Sequence, residues 1–131
     1  MPRSRPARKW GRKLSNGDTV TPYVPEAGDI VMMDFDPQVG REQAKRRPAL
    51  VLTDRRYNRA SGLAIVCPLT SKRKPYPFAL PVTVDQVEGA VLADQLKSMD
   101  WAGRKAKFHS KAEPALVNKV RQYVAVLLAL R

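Results

Sequence analysis

Gly40–Arg41–Glu42–Gln43–Ala44–Lys45–Arg46–Arg47–Pro48 separates two apolar runs, Ile30–Phe35 and Ala49–Leu52. One carboxylate, one amide and four cations stand between a glycine and a proline. Gly40 can take backbone angles that side chains forbid. Pro48 fixes its own φ and presses Arg47 toward an extended conformation. The stretch therefore reads as a connection between two strands, with Glu42 on the loop and Arg47 at its exit. Loops displayed by a rigid scaffold are where chemistry is usually placed. A solvated hairpin connection has the same composition, so residues further along must decide between the two.

Outward from this loop, the chain alternates short apolar segments with turn signals. Asp29–Asp36 reads as a first strand, with Val31, Met33 and Phe35 on one face. Ala49–Thr53 is apolar throughout and reads as a central strand. Asp54–Ser61 is a turn or short helix that ends at Gly62. Leu63–Leu69 is a third strand, followed by a polar loop over Thr70–Pro77. Phe78–Val84 alternates cleanly, and Pro81 suits an edge position because it has no N–H for a neighbouring strand. Further strands are expected at Val91–Leu96, after it at Lys97–Trp101, and at Lys105–Ser110. The period then changes. Pro114 suits the first turn of a helix, and Leu116, Val117, Val120, Val124, Leu127 and Leu128 mark a stripe that packs on the sheet. The fold expected is mainly β, a small strongly curved sheet or barrel with a C-terminal helix against it.

The 131 residues make one domain. Residues 1–20 form a basic arm without apolar period, and residues 21–131 the folded part. Cys67 is the single cysteine, so no internal disulfide can form, and its apolar neighbours imply a buried, inert thiol. One cysteine and one histidine argue against a dedicated zinc site. No apolar run approaches the ~18 residues of a membrane span, and no secretory signal is visible, so a reducing cytoplasm is expected. The charge is more telling. Lysine and arginine number 24 against 12 acidic residues, a net +12. Beyond residue 20 the balance is still 18 to 11, or +7. The folded part by itself suits a polyanion such as nucleic acid, or an acidic protein.

The inventory has no metal cluster, no Ser-His-Asp set and no nucleotide loop; His109 reads as structural or solvent-facing. Carboxylates, arginines and hydroxyls on a basic body remain. They suffice for cleavage of RNA by its own 2′-hydroxyl, because the substrate then supplies the nucleophile and neither metal nor cofactor is required. A carboxylate, Glu42 or Asp94, can take the 2′-proton. Arg47 offers a planar fork of donors to phosphate oxygens. Thr70 or Ser71 can add a hydrogen bond as charge develops. Lys72, with Arg73 and Lys74, can position phosphates. Tyr57, Asn58 and Tyr76 either contact the bases of a single strand or cap the barrel.

From Tyr23 to about Leu130 the chain resembles the MazF/PemK family of toxin endoribonucleases. The matching segments are Gly28–Asp29–Ile30, Asp34–Phe35–Asp36–Pro37, Gly40–x–Glu42–Gln43, Arg47–Pro48, Pro68–x–Thr70, Tyr76–Pro77–Phe78 and Ala93–Asp94–Gln95–x–Lys97–Ser98. The run Gly89–Trp101 resembles the MazF branch in particular. The resemblance implies an SH3-like β-barrel, a homodimer, and metal-independent cleavage of single-stranded mRNA at short motifs. It implies neutralisation by an acidic, MazE-like antitoxin. It assigns catalysis to Arg47, Thr70 and Glu42, with Gln43, Ser71, Lys72, Asp94, Gln95, Tyr57, Asn58 and Tyr76 binding or supporting RNA. PemK-type members carry an arginine where this chain has Leu92, so the load falls on Arg47, Thr70 and Glu42. Two rival readings share the barrel: a non-enzymatic, CcdB-like toxin that binds DNA gyrase, and a passive RNA-binding barrel.

Overall fold

A computed structural model describes residues 22–35, 46–72 and 76–130 of the chain. Within them lie β1 (Asp29–Asp34), β2 (Arg46–Val51), α1 (Arg55–Ser61), β3 (Leu63–Thr70), β4 (Ala79–Val84), β5 (Val87–Leu92), β6 (Lys97–Asp100), β7 (Lys107–Lys111) and α2 (Pro114–Leu127). Hydrogen-bonded neighbours run β4-β5-β3-β2-β1-β7, and β6 joins through β3. All the pairings are antiparallel. β3 is the hinge of the curl. It pairs with β6 over Leu63–Val66 and then with β5 at Leu69–Thr70. This change of partner swings the β4–β5 hairpin round until Asp85 at its tip meets His109 on β7, 2.8 Å away. The result is a curled antiparallel half-barrel with a C-terminal helix, the mainly β architecture that the sequence implies.

Alternate residues of the central strands feed two cores, which is why these strands are apolar throughout. Ile30, Leu50, Cys67, Leu69, Val91 and Val120 gather on one side. Val31, Met33, Phe35, Val51, Val66 and Trp101 gather on the other. Each such side chain, fully buried, stabilises the fold by about 1.5–3 kcal/mol before entropy is charged against it. α2 adds Val117 and Val120 to the first core. Its stripe runs past the sheet, however. Leu127 and Leu128, expected to pack, are exposed with Val126 and Leu130.

Two strand boundaries differ most from expectation. β2 begins at Arg46 rather than Ala49, so Arg47 lies within a strand and Pro48 is tolerated inside it, opposite Met32. β5 covers Val87–Leu92 rather than Val91–Leu96. Its start is polar in sequence, and the hairpin is set by Asp85 and Gln86, both at positive φ (53° and 64°), as a two-residue hairpin turn of matching twist requires. Asp94 and Gln95 consequently follow the strand instead of standing in it.

The chain entry is anchored by a buried carboxylate. Asp29 is 2% exposed and accepts from Tyr23 Oη at 2.6 Å, the backbone N–H of Glu26 at 3.0 Å and Lys111 Nζ at 2.6 Å. A buried charge must be paired in this way to be tolerated. Burial, and then the hydrogen bond to Asp29, push the Tyr23 hydroxyl well above its usual range.

Candidate active site

Arg46 and Arg47 are neighbours on β2, and successive residues of a strand point to opposite sides. Their fates differ accordingly. Arg46 is a brace: Nη1 donates to Asp34 Oδ1 at 2.9 Å, and Nη2 to the carbonyls of Met32 and Lys105 at 2.9 and 2.8 Å. Arg47 is half-buried, and its guanidinium carbon lies 5.4 Å from the centre of the Phe35 ring. Its described hydrogen bond, Nη2 to the Leu69 carbonyl, is long at 3.5 Å. Aromatic contact fixes the plane of the fork, and among the described residues most of its five donors have no hydrogen-bond partner.

Leu69 is the residue before Thr70, at the end of β3. The β2–β3 register pairs Ala49 with Pro68, and continued by two residues it sets Arg47 opposite Thr70. Thr70 Oγ1 accepts the backbone N–H of Lys72 at 3.1 Å. An N–H pointed at the oxygen leaves the hydroxyl proton to be donated outward. The arginine fork and the threonine hydroxyl thus converge at one strand end, with Ser71 and Lys72 exposed beside them.

Gly89 secures this end. A Cβ there would overlap the Thr70 carbonyl oxygen and lie 3.2 Å from its carbonyl carbon and 3.3 Å from Ser71 Cα. Side chains are excluded because β5 passes so close to Thr70. A lone glycine inside a strand is the sequence signal for such an approach, and it was available in the stretch Val87–Leu92.

The other expected site residues scatter. Glu42 and Gln43 lie outside the described residues. Asp94 follows β5, where its Oδ2 accepts from the Tyr76 hydroxyl and its Oδ1 is buried without a hydrogen-bond partner among the described residues. It lies near Cys67, whose thiol burial pushes up to about 12, with the Asp94 charge adding to the rise. Gln95 is exposed. Tyr76 is exposed and packs edge-on against Phe78, which packs in turn on Tyr123 of α2. Tyr57 is exposed on α1. Asn58 is a correction. It is fully buried, accepts from Thr53 Oγ1 at 2.6 Å, and donates to the carbonyls of Pro25 and Thr53, both at 2.9 Å. Its amide is consumed by the fold, and no base can reach it. Among the described residues no three His, Cys, Asp or Glu side chains gather as a metal site would need.

A basic β half-barrel with an arginine fork and a threonine hydroxyl at one strand end is an architecture suited to an anionic ligand. Comparison with known proteins makes that reading specific. The chain is 38% identical over 109 residues to the endoribonuclease toxin MazF of Escherichia coli (strain K12), across 83% of this chain and 98% of that one. A MazE–MazF crystal structure from Deinococcus radiodurans superposes with a TM-score of 0.76 at 43% identity, covering 84% of this chain and all (100%) of that one. MazF alone from the same organism gives 0.75 at 43% identity, covering 83% and 100%. The family model for PemK-like, MazF-like toxins of type II toxin–antitoxin systems matches residues 26–128. The chain belongs to that family.

Proposed function

We propose that this protein is a toxin endoribonuclease that cuts single-stranded mRNA in the cytoplasm by 2′-hydroxyl attack, without metal. The observation that carries the reading is the pairing of the Arg47 fork, held on Phe35 and tethered to the Leu69 carbonyl, with the outward hydroxyl of Thr70. In the reaction the 2′-oxygen loses its proton to a carboxylate and bonds to phosphorus. The P–O5′ bond breaks, and the departing oxygen takes up a proton. The products are a 2′,3′-cyclic phosphate and a 5′-hydroxyl. Arg47 stabilises the equatorial oxygens of the phosphorane with two parallel N–H donors, and Thr70 donates a further hydrogen bond as charge grows there. The base is a carboxylate, Glu42 or Asp94. Asp94, turned toward Tyr76, supports the substrate-binding surface with Gln95 and Tyr76. Ser71 and Lys72, beside Thr70, complete it with Gln43.

The antitoxin complex among the solved relatives supports an acidic, MazE-like partner for this basic chain. The exposed apolar end of α2, with Val126 73% and Leu130 63% exposed, supports a homodimer, because a second copy would cover it. The test is incubation of a single-stranded RNA in excess EDTA, with analysis of the product ends. Cleavage to cyclic phosphate and 5′-hydroxyl is expected. Arg47→Ala should lower the rate by about 10²–10³, the usual effect of losing a preorganised donor, with an unchanged melting temperature. Inhibition by EDTA, or a near-normal rate in the variant, contradicts the assignment. Gyrase binding without RNA turnover would favour the CcdB-like reading.

A further inference from the structure

The curl of the sheet leaves a cleft of about 340 Å3 lined by Thr70 and Ser71 of the candidate site and by Asp85 and His109. Pro48, Leu69 and Val84 give it apolar walls. Val87 stands at its rim and is 55% exposed, an apolar side chain presented to solvent. Its volume is at the low end of the roughly 300–1,000 Å3 of small-ligand sites, suited to one planar ring rather than an extended chain. Apolar walls of this kind hold the face of a nucleobase, and polar groups at the end read its edge.

The polar end pairs a half-buried histidine with an exposed carboxylate, Asp85, whose side chain is 72% exposed. His109 Nε2 lies 2.8 Å from Asp85 Oδ2, and His109 Nδ1 lies 3.0 Å from Ser110 Oγ. Asp85 sits at φ 53°, a conformation that favours glycine and asparagine, and the histidine is what holds its carboxylate in place. One carboxylate oxygen is engaged by the imidazole, which leaves the second to accept a hydrogen bond. A carboxylate accepts from the amino groups of cytosine, adenine or guanine; uracil has no amino group, and its one donor, N3–H, is flanked by two carbonyl oxygens that the carboxylate repels.

We propose that this cleft is a base-reading subsite. It receives the nucleobase next to the scissile phosphate as RNA passes Thr70, and Asp85, positioned by His109, selects a base with an exocyclic amino group. The proposal rests on the endoribonuclease reading above, and it adds a specificity determinant to it. Two measurements keep their fates apart. The first maps cut sites on a randomised pool of single-stranded RNA for the unaltered protein and for Asp85→Asn, His109→Gln and Val87→Trp. Uridine should be disfavoured about tenfold at one flanking position. Asp85→Asn should relax that position alone, since an amide both donates and accepts, and asparagine suits the turn at least as well as aspartate. The second measures equilibrium binding of oligonucleotides, deoxy at the scissile sugar, that carry A, C, G or U at that position. Binding that discriminates in the unaltered protein and not in Asp85→Asn supports the subsite even where no cleavage is seen. A cut-site profile unchanged in all three variants, or binding blind to the base, overturns it and reduces the His109–Asp85 pair to a clasp between β7 and the β4–β5 hairpin.

Discussion

The difference between Arg46 and Arg47 is the residue-scale core of the account. Identical side chains, adjacent in sequence, are separated by the alternation of a strand into a brace and a fork held by one long hydrogen bond among the described residues. The same scale removes Asn58 from the RNA surface and gives it a measurable alternative role. Asn58→Ala strands the buried carbonyls of Pro25 and Thr53 and the Thr53 hydroxyl, so denaturant unfolding should show a loss of roughly 2–4 kcal/mol. Cleavage per folded molecule should stay near normal; a selective loss of activity in a fully stable variant would return Asn58 to the site. Cys67 gives a pH prediction. Burial raises its thiol from 9.0 to about 12, so the unfolded chain releases this proton first as pH climbs. The folded state should therefore lose stability between about pH 9 and 12, with this contribution intact below pH 9. Comparison of unfolding curves should show a shallower alkaline decline in Cys67→Ala than in the unaltered protein. Equal slopes would mean that the thiol titrates alike in both states.

At the scale of elements, β3 organises the molecule through its change of partner from β6 to β5. That change bends the sheet and sets Thr70 beside Gly89. Gly89→Ala tests the arrangement, because the added methyl meets backbone rather than a flexible side chain. A loss of about 1–3 kcal/mol is expected from overpacking, together with a drop in kcat larger than any change in KM as Thr70 is pushed from its place. A folded variant with a normal rate would show that Thr70 need not be held. Much of this level was legible in the sequence. The apolar runs located β1 and β3 well, Gly62 closed α1, and Pro81 marked β4 as an edge. Pro48 misled, since a proline was read as the boundary of a strand that in fact starts two residues earlier. The start of β5 was missed because Val87 is a lone apolar residue between Gln86 and Glu88, with Gly89 next, too little for a strand signal; only the closeness of Thr70, a tertiary fact, explains Gly89. In the candidate site, the motifs pointed to Arg47 and Thr70, while the burial of Asn58 was not legible, because a buried amide and a base-reading amide look alike until burial is known. His109 was read as structural, and its meeting with Asp85, 24 positions away, is a product of the curl.

At the scale of the whole molecule, the basic balance and the half-barrel serve one task. A net +12 draws a polyanion to the surface, and the curl collects a fork, a hydroxyl and a cleft at one end of it. No helix among the described residues is long and apolar enough to cross a membrane. In the proposed mechanism the protein supplies charge and position while the ribose supplies the attacking oxygen, and every role proposed for Arg47 and Thr70 depends on that division. It is tested most directly by an oligoribonucleotide with a single deoxyribose at the scissile sugar, compared with its all-ribose twin for both binding and cutting. The account predicts equal binding and no cutting of the substituted strand. Cleavage of that strand at the same bond would mean that water or a protein group attacks phosphorus, and would contradict it.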